Sequence, residues 1–501
     1  MPISFIIVIS IMINPNSPAV KDKAFWQALF DADSIAVIGA KNTAGTWGQD
    51  AIRAAIDSAK AKAGRRAYPV NPNEPEILGL KSYKSVLDIP GDVDLAVIVV
   101  PAAVTPQVFR QCVEKKVKAA VVISAGFAEA DENGKKLEAE LKAIAGEGGM
   151  HFTGPNCNGH ADLYTRVASI SFASTCPSGP LALLSQSGTL GMSIMQIAVG
   201  RGIGLSKFIS SGNEADIHLE DYLEYLAGDE HTKIIAAYIE GLREARRFYE
   251  LSREITRRKP IVAIKSGATE AAAKAARSHT GTLAGSDAIY SAAFKQAGVI
   301  RAEDEEELCD TIIALRDLPL PRGKKVGILT IGGGFGVVTA EDCEKEGLEI
   351  AQLGAETLKK LAAILPSRWT PGNPVDLVGI RTGGGSNIAD TCLRLLLEDK
   401  NVDSVISLMP PMIVPPGPMA ASLTPEQLSA MQKEVESSQE ALYNFVKEHN
   451  KPLVYIRRIA FTAGPKQPNM PKVIIPEYPH PRRAARVLRY LAEYRNHLNN
   501  K

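Results

Sequence analysis

Apolar residues along this chain fall into short β-branched bursts, separated by longer stretches where they recur every three or four positions. Ser34-Ile35-Ala36-Val37-Ile38-Gly39 is the first burst and ends on glycine. A helix-like stretch from about Gln49 to Lys62 follows, then Tyr68-Pro69-Val70, Asp94 to Val100 and Ala119 to Ser124 as strands. Bursts that are apolar throughout, rather than alternating, read as strands buried on both faces, and helices between them imply a parallel sheet. This first block closes near Met150.

The alternation starts again at Gly154-Pro155-Asn156-Cys157. Leu181 to Leu184, Ile234 to Ile239 and Ile261 to Ile264 read as strands, and Gly188 to Gly200, Arg243 to Arg258 and Ser286 to Gly298 as helices. A third block follows the linker-like Pro319-Leu320-Pro321-Arg322-Gly323. In it Lys325 to Thr330, Val402 to Met409 and Pro452 to Ile456 read as strands, Gly332 to Gly336 as a glycine loop before a helix, and Pro410 to Pro418 as an irregular loop. The segment after Pro481 reads as a basic amphipathic helix lying on the surface of its own domain. The pattern predicts an α/β chain of three doubly wound domains, 31–150, 151–318 and 319–501, after an N-terminal extension, 1–30.

Composition adds mainly exclusions. A length of 501 residues supports several cores, and 57 basic against 56 acidic residues leave no global field to gather nucleic acid. Six scattered cysteines, with no CxxC pair, argue against a disulfide framework or a zinc cluster and fit a reducing cytoplasm. Ile3 to Ile13 is apolar but shorter than the roughly 20 residues a membrane span needs, and it has no basic region before it. Either it is a genuine extension or Met12 is the true start; secretion is a third, minor option.

Three junctions have the character of anion sites, because a strand that ends in glycine or small hydroxyl residues before a helix leaves N–H groups available. They are Gly39 to Gly48, Ser185-Gln186-Ser187-Gly188-Thr189, and Ser210-Ser211-Gly212-Asn213-Glu214. Each alone is equally an ordinary βα turn or N-cap. No acidic residue stands where a nicotinamide ribose needs one, since Val70-Asn71-Pro72 occupies that place, which argues against a dehydrogenase. His279 lies in the small-residue run Arg277-Ser278-His279-Thr280-Gly281. Neutral imidazole is a good nucleophile, and a phosphorylated one needs a carboxylate on its ring and N–H groups on its phosphate. Glu240, at the carboxyl end of a strand, is a candidate for the first; its bland reading is a surface loop carboxylate, as that of His279 is a solvated structural histidine.

Taken together these motifs resemble the α subunit of the ADP-forming acyl-CoA synthetases, of the acetate–CoA ligase type, relatives of succinyl-CoA synthetase. The likeness runs from about Asp33 to Pro476 and rests on Val37-Ile38-Gly39-Ala40, Tyr68-Pro69-Val70-Asn71-Pro72, Gly154-Pro155-Asn156-Cys157, Ser185-Gln186-Ser187-Gly188, Ser211-Gly212-Asn213, Ser278-His279-Thr280-Gly281 and Asn373-Pro374-Val375-Asp376. The resemblance implies a Rossmann-like CoA-binding domain followed by two flavodoxin-like domains. It implies CoA around Gly39, Thr46, Gly48, Val70, Asn71, Pro72, Pro101, Ser124, Ala125 and Gly126. It puts phosphate at Ser187, Gly188, Thr189, Gly212 and Asn213, the acyl end at Asn156, Cys157 and Asn158, and a phosphohistidine at His279 partnered by Glu240. The implied reaction is acyl-CoA, ADP and phosphate to acid, CoA and ATP, reversibly, with ADP/ATP and Mg2+ on an ATP-grasp β subunit in an α2β2 assembly and no metal on this chain. A non-catalytic CoA-binding regulatory or scaffold protein of the same fold is the alternative. Asn158, where leucine is common, Arg277, where alanine is common, and Ile331-Gly332, where the family usually has Asn-Ala, depart from the pattern; Asn158 suggests an acid more polar or larger than acetate.

Overall fold

The computed structural model describes residues 23–269, 286–378, 386–408, 424–456 and 475–500. The apolar run Ile3 to Ile13, His279 with its motif, and the proline-rich stretch 410–418 lie outside these residues.

Three large β-sheets carry the described chain, beside a two-stranded pair of Glu76–Ile77 and Leu80–Lys81. The first is wholly parallel, in the order Arg66–Val70, Ser34–Ile38, Leu95–Ile98, Ala119–Val122, His151–Thr153. The second runs Ile300–Ala302, Ile261–Lys265, Ile234–Ile239, Ser178–Ser185, Leu205–Ser210 and His160–Asp162; only the last pair is antiparallel. The third runs Glu349–Ile350, Lys325–Thr330, Ser404–Ser407, Leu453–Ile456, Glu477–Tyr478, again parallel, with Val375–Asp376 also pairing Lys325–Thr330. Central strands such as Ser34–Ile38 and Ile261–Lys265 are buried along their whole length, because helices cover both faces; this is why their sequences are apolar without alternation. The crevices that bind ligands in such sheets lie at the carboxyl ends of the strands.

Two helices join the sheets in ways the hydrophobic pattern did not reveal. Lys23–Phe30 buries Phe25, Trp26, Leu29 and Phe30. Trp26 stacks on Tyr225 at 4.6 Å and Phe30 on the same ring at 4.9 Å, and the Leu29 carbonyl meets His160 Nε2 at 2.6 Å. Burying such side chains stabilises by about 1.5–3 kcal/mol each, so residues 23–30 of the expected extension are a fastening between the first two sheets. The C-terminal helix Pro481–Asn499 is likewise more than a surface helix of its own domain. Its Leu488 and Leu491 pack into the third core, while Tyr490 and Tyr494 enter the second. Arg486 bridges Glu307 Oε2 at 2.6 Å and Glu346 Oε1 at 3.0 Å, one from each side.

Candidate active site

At the carboxyl edge of the first sheet, the chain turns out of Ser34–Ile38 at Gly39, whose φ of 93° suits glycine. A β-carbon there would sit 2.3 Å from the Val99 carbonyl oxygen, and one at Gly48 would sit 2.2 Å from the Gly39 oxygen. Backbone therefore lies directly on backbone where the helix Trp47–Ala61 begins. Thr46 caps that helix, its Oγ1 accepting from Gln49 N–H at 3.3 Å. Gly39 N–H donates to the Val70 carbonyl at 2.9 Å, and the buried Asn71 donates from Nδ2 to the Ala40 carbonyl at 2.8 Å. Across the edge, Ser124 Oγ donates to the Val100 carbonyl at 2.5 Å, and Gly126 turns with φ 101°. Pro72, Pro101 and Ala125 are exposed around this rim. The structure thus gathers the ten residues expected around CoA onto one edge, with a backbone cradle suited to a phosphate-bearing ligand. Trp47, exposed at the helix tip, belongs to the same rim and was not among them.

The second edge adjoins the first through a loop. Gly154-Pro155 is a cis peptide, and Asn156 N–H donates to the Ser124 carbonyl at 2.9 Å. Gly212, with φ 63°, comes so close to this loop that a β-carbon would lie 2.3 Å from the Pro155 oxygen. Asn213 ties the same point: its N–H reaches the Pro155 carbonyl at 2.9 Å, and its Nδ2 reaches Glu129 at 2.5 Å and Glu138 at 2.8 Å. Its Oδ1 accepts from Asn156 at 3.2 Å and its carbonyl from Arg243 at 2.9 Å. Every donor of Asn213 is engaged, so it joins the two sheets and offers no N–H to an anion in this arrangement. Burial works to raise the Glu129 carboxyl, but hydrogen bonds from Asn213 and the Gly126 N–H outweigh it and hold the group below its usual range.

Ser187 caps the helix Gly188–Gly200, accepting from Leu190 N–H at 3.4 Å, and the first N–H groups of that helix, at Gly188 and Thr189, have no acceptor within it. Gly188 is needed sterically: a β-carbon would meet the Asn158 side chain at 2.5 Å. Gln186, in the same turn, accepts from Glu240 N–H at 2.6 Å and Gly241 N–H at 3.0 Å, and returns Nε2 to the Gly241 carbonyl at 2.8 Å. The turn that presents Glu240 is thereby set by a side chain from the neighbouring strand. Lys265, at the end of the next strand, donates to the Glu240 carbonyl at 2.9 Å and the Ser266 carbonyl at 2.5 Å. It is 7% exposed, and its ammonium lies 4.5 Å from the Tyr290 ring centre. Burial, with Arg301 nearby, lowers its pKa.

Family models match three consecutive segments: a CoA binding domain at 33–161, a succinyl-CoA ligase like flavodoxin domain at 178–315 and a ligase-CoA domain at 326–443. The α subunit of acetate–CoA ligase [ADP-forming] II from Pyrococcus furiosus is 40% identical over 454 residues, 90% of this chain and 94% of that one. This chain belongs to the ADP-forming acyl-CoA synthetase family, in its α-subunit branch. The acetate–CoA ligase [ADP-forming] of Methanocaldococcus jannaschii is 43% identical over 349 residues, 70% of this chain but 48% of the relative. A solved structure of a dinucleotide forming acetyl-coenzyme A synthetase 1 from Ca. Korarchaeum cryptofilum, in complex with phosphate and ADP, is 30% identical with a TM-score of 0.77, covering 95% of this chain and 98% of that one.

Within the synthetase fold, the residues expected at the acyl end divide. Asn156 has φ 56° and shapes the loop. Cys157 is buried, its Sγ donating to the Val122 carbonyl at 3.3 Å, and burial pushes the thiol up to about 12. A thiol so held is no nucleophile at neutral pH. Asn158 alone points at the helix Gly188–Gly200, lying against Gly188 and placing Nδ2 3.0 Å from Met192 Sδ. Gln186 and Lys265 are the functional candidates that sequence reasoning missed. Gln186 lies inside the Ser185–Gly188 motif, and Lys265 closes a strand one residue past its apolar run; neither pattern says what such side chains reach.

Proposed function

We propose that this chain is the catalytic α subunit of an enzyme interconverting acyl-CoA, ADP and phosphate with a carboxylic acid, CoA and ATP. The observation that carries the reading is one juxtaposition. The helix start at Ser187–Gly188 and the Gln186-held turn of Glu240 share one edge, and the loop from Gly154 to Asn158 joins it to the CoA edge. In the reaction a phosphate oxygen attacks the thioester carbonyl, the CoA sulfur leaves, and an acyl phosphate forms. A ring nitrogen of His279 then takes the phosphoryl group as the carboxylate leaves, and the phosphoryl group passes to ADP. The chain's own contribution is to seat CoA on the first edge, offer the N–H groups of Gly188 and Thr189 to phosphate, and aim Glu240 at the imidazole.

Among the described residues no group of three or more His, Cys, Asp or Glu could hold a metal. We assign ADP/ATP and Mg2+ to a separate ATP-grasp β subunit in an α2β2 assembly. The chain spans 94% of a relative called a subunit and only 48% of one that is not, which supports a partner of comparable length. A cytoplasmic setting accords with six cysteines that are all buried free thiols and with the lack, among the described residues, of any helix long and apolar enough to cross a membrane. Asn158 beside Gly188 favours an acid more polar or larger than acetate; an acid panel in which acetate is clearly preferred would sink that assignment.

The deciding experiment incubates the chain and its partner with Mg2+ and γ-labelled ATP. An acid-labile, alkali-stable label on this chain, absent in His279→Ala, is the expected result. Label that survives the substitution overturns the reading.

A further inference from the structure

Beneath the loops of the second edge lie two carboxyl groups that this reaction does not use. Glu214 and Glu220 are 3% and 0% exposed, and among the described residues the Oε2 of each has no hydrogen-bond partner. Glu214 Oε1 accepts from Ser211 Oγ at 2.7 Å, and Ser211 N–H in turn donates to the carbonyl of Ser185, the residue before Gln186, at 2.9 Å. Glu220 Oε1 accepts from Glu244 N–H at 3.1 Å. Glu214 also holds φ 56°, a conformation that a side-chain-bearing residue keeps only where its surroundings over-determine it.

Two ionised carboxylates, both buried and each with an unpaired oxygen, are strongly unfavourable together, and a proton on one relieves this. Ser211 is the hydrogen-bond partner of Glu214, and Glu220 and Tyr222 of the helix Leu219–Gly228 act on it through their charges or dipoles; none of these is a cation. Burial, reinforced by the Glu220 charge, pushes Glu214 up to about 8. Burial raises Glu220 as well, with Glu244 and Asp221 adding to it.

We propose that Glu214 is a positioning residue of the phosphoryl-transfer site. As a neutral acid it fixes Ser211 of the glycine loop, Ser211 holds the Ser185 carbonyl beside Gln186, and Gln186 sets the backbone of Glu240 and Gly241. The proposal rests on the reading of Glu240 as the partner of His279.

The test compares wild type, Glu214→Gln, Glu214→Leu and His279→Ala, each as the full chain with its ATP-grasp partner, from pH 6 to 9.5. Gln keeps the shape and neutrality of the protonated acid. Its kcat is expected within about twofold of wild type at pH 7 and level to pH 9, whereas wild type falls with an inflection near 8. Leu loses the hydrogen bond to Ser211, and kcat is expected to drop about tenfold or more with the KM for CoA nearly unchanged. A Gln variant that loses as much kcat as Leu, or that keeps the wild-type alkaline fall, overturns the proposal.

If Glu214→Leu does not fold, unfolding curves of the Gln variant decide. The folded wild type keeps a proton that the unfolded chain releases above its ordinary value of 4.5, so wild type loses stability relative to Glu214→Gln as pH rises from there toward 8. Equal pH slopes for the two proteins overturn the proposal. The His279→Ala arm separates the two readings. Label surviving there defeats the phosphohistidine, while the Glu214 unfolding comparison stands independently of it.

Discussion

The β-carbon that Gly48 lacks would stand 2.2 Å from the carbonyl oxygen of Gly39. No side chain can be accommodated there unless the first helix moves away from the first strand. Gly48→Ala should therefore lower stability by about 1–3 kcal/mol through overpacking. It should also weaken CoA by about tenfold, or 1.4 kcal/mol, by opening the cradle. Thermal unfolding and calorimetric CoA titration check the two effects, and an unchanged CoA affinity would remove Gly48 from the CoA site.

Gln186 offers one oxygen to two N–H groups in the Glu240 turn. Gln186→Leu leaves both without that acceptor, at a cost of about 1–3 kcal/mol for each donor that finds no other partner. Steady-state rates of the reconstituted enzyme should show a fall in kcat with the KM for CoA nearly constant, because the CoA edge is a separate sheet. A change confined to KM would contradict the placement.

Cys157 sits among the residues expected near the acyl group, yet burial holds its thiol protonated. Cys157→Ala should keep activity within about twofold, and the wild-type thiol should resist maleimide in the native state. Rapid native-state alkylation with parallel loss of activity would be the contrary result.

His160 is buried between the Leu29 carbonyl at 2.6 Å and Ser169 Oγ at 3.2 Å, and burial depresses its pKa to about 4. The unfolded chain protonates this histidine near 6.5 while the folded one does not, so stability is lost as pH falls from there toward 4. Denaturant unfolding of wild type should become easier between pH 7 and pH 5, and His160→Gln should show a smaller change. Identical pH dependence in the two proteins would place the acid sensitivity elsewhere.

How far the site could be read in advance depended on the kind of interaction. Gly39, Thr46 and Ser187 were legible because turns and caps are local: a few neighbouring residues decide them. Gln186 and Lys265 were not, because each acts on the backbone of a different strand, 54 and 25 residues away in sequence. Asn213 was legible as a loop residue but not in its task, since Glu129 and Glu138 come from a loop and the helix Glu132–Gly148 beside the first sheet. The helices Lys23–Phe30 and Pro481–Asn499 were assigned to an extension and to one domain's surface. Amphipathicity states that a face is buried and is silent about what buries it.

The sequence by itself determined the α/β alternation, the parallel sheets and the three glycine or hydroxyl junctions, because periodicity and turn chemistry act over a few residues. Only the tertiary structure decided which junctions share an edge, which amides are already engaged, and that two carboxyls, Glu214 and Glu220, are buried near one of them. Those outcomes follow from strand order and from burial, which raises or lowers the cost of a charge according to neighbours distant along the chain.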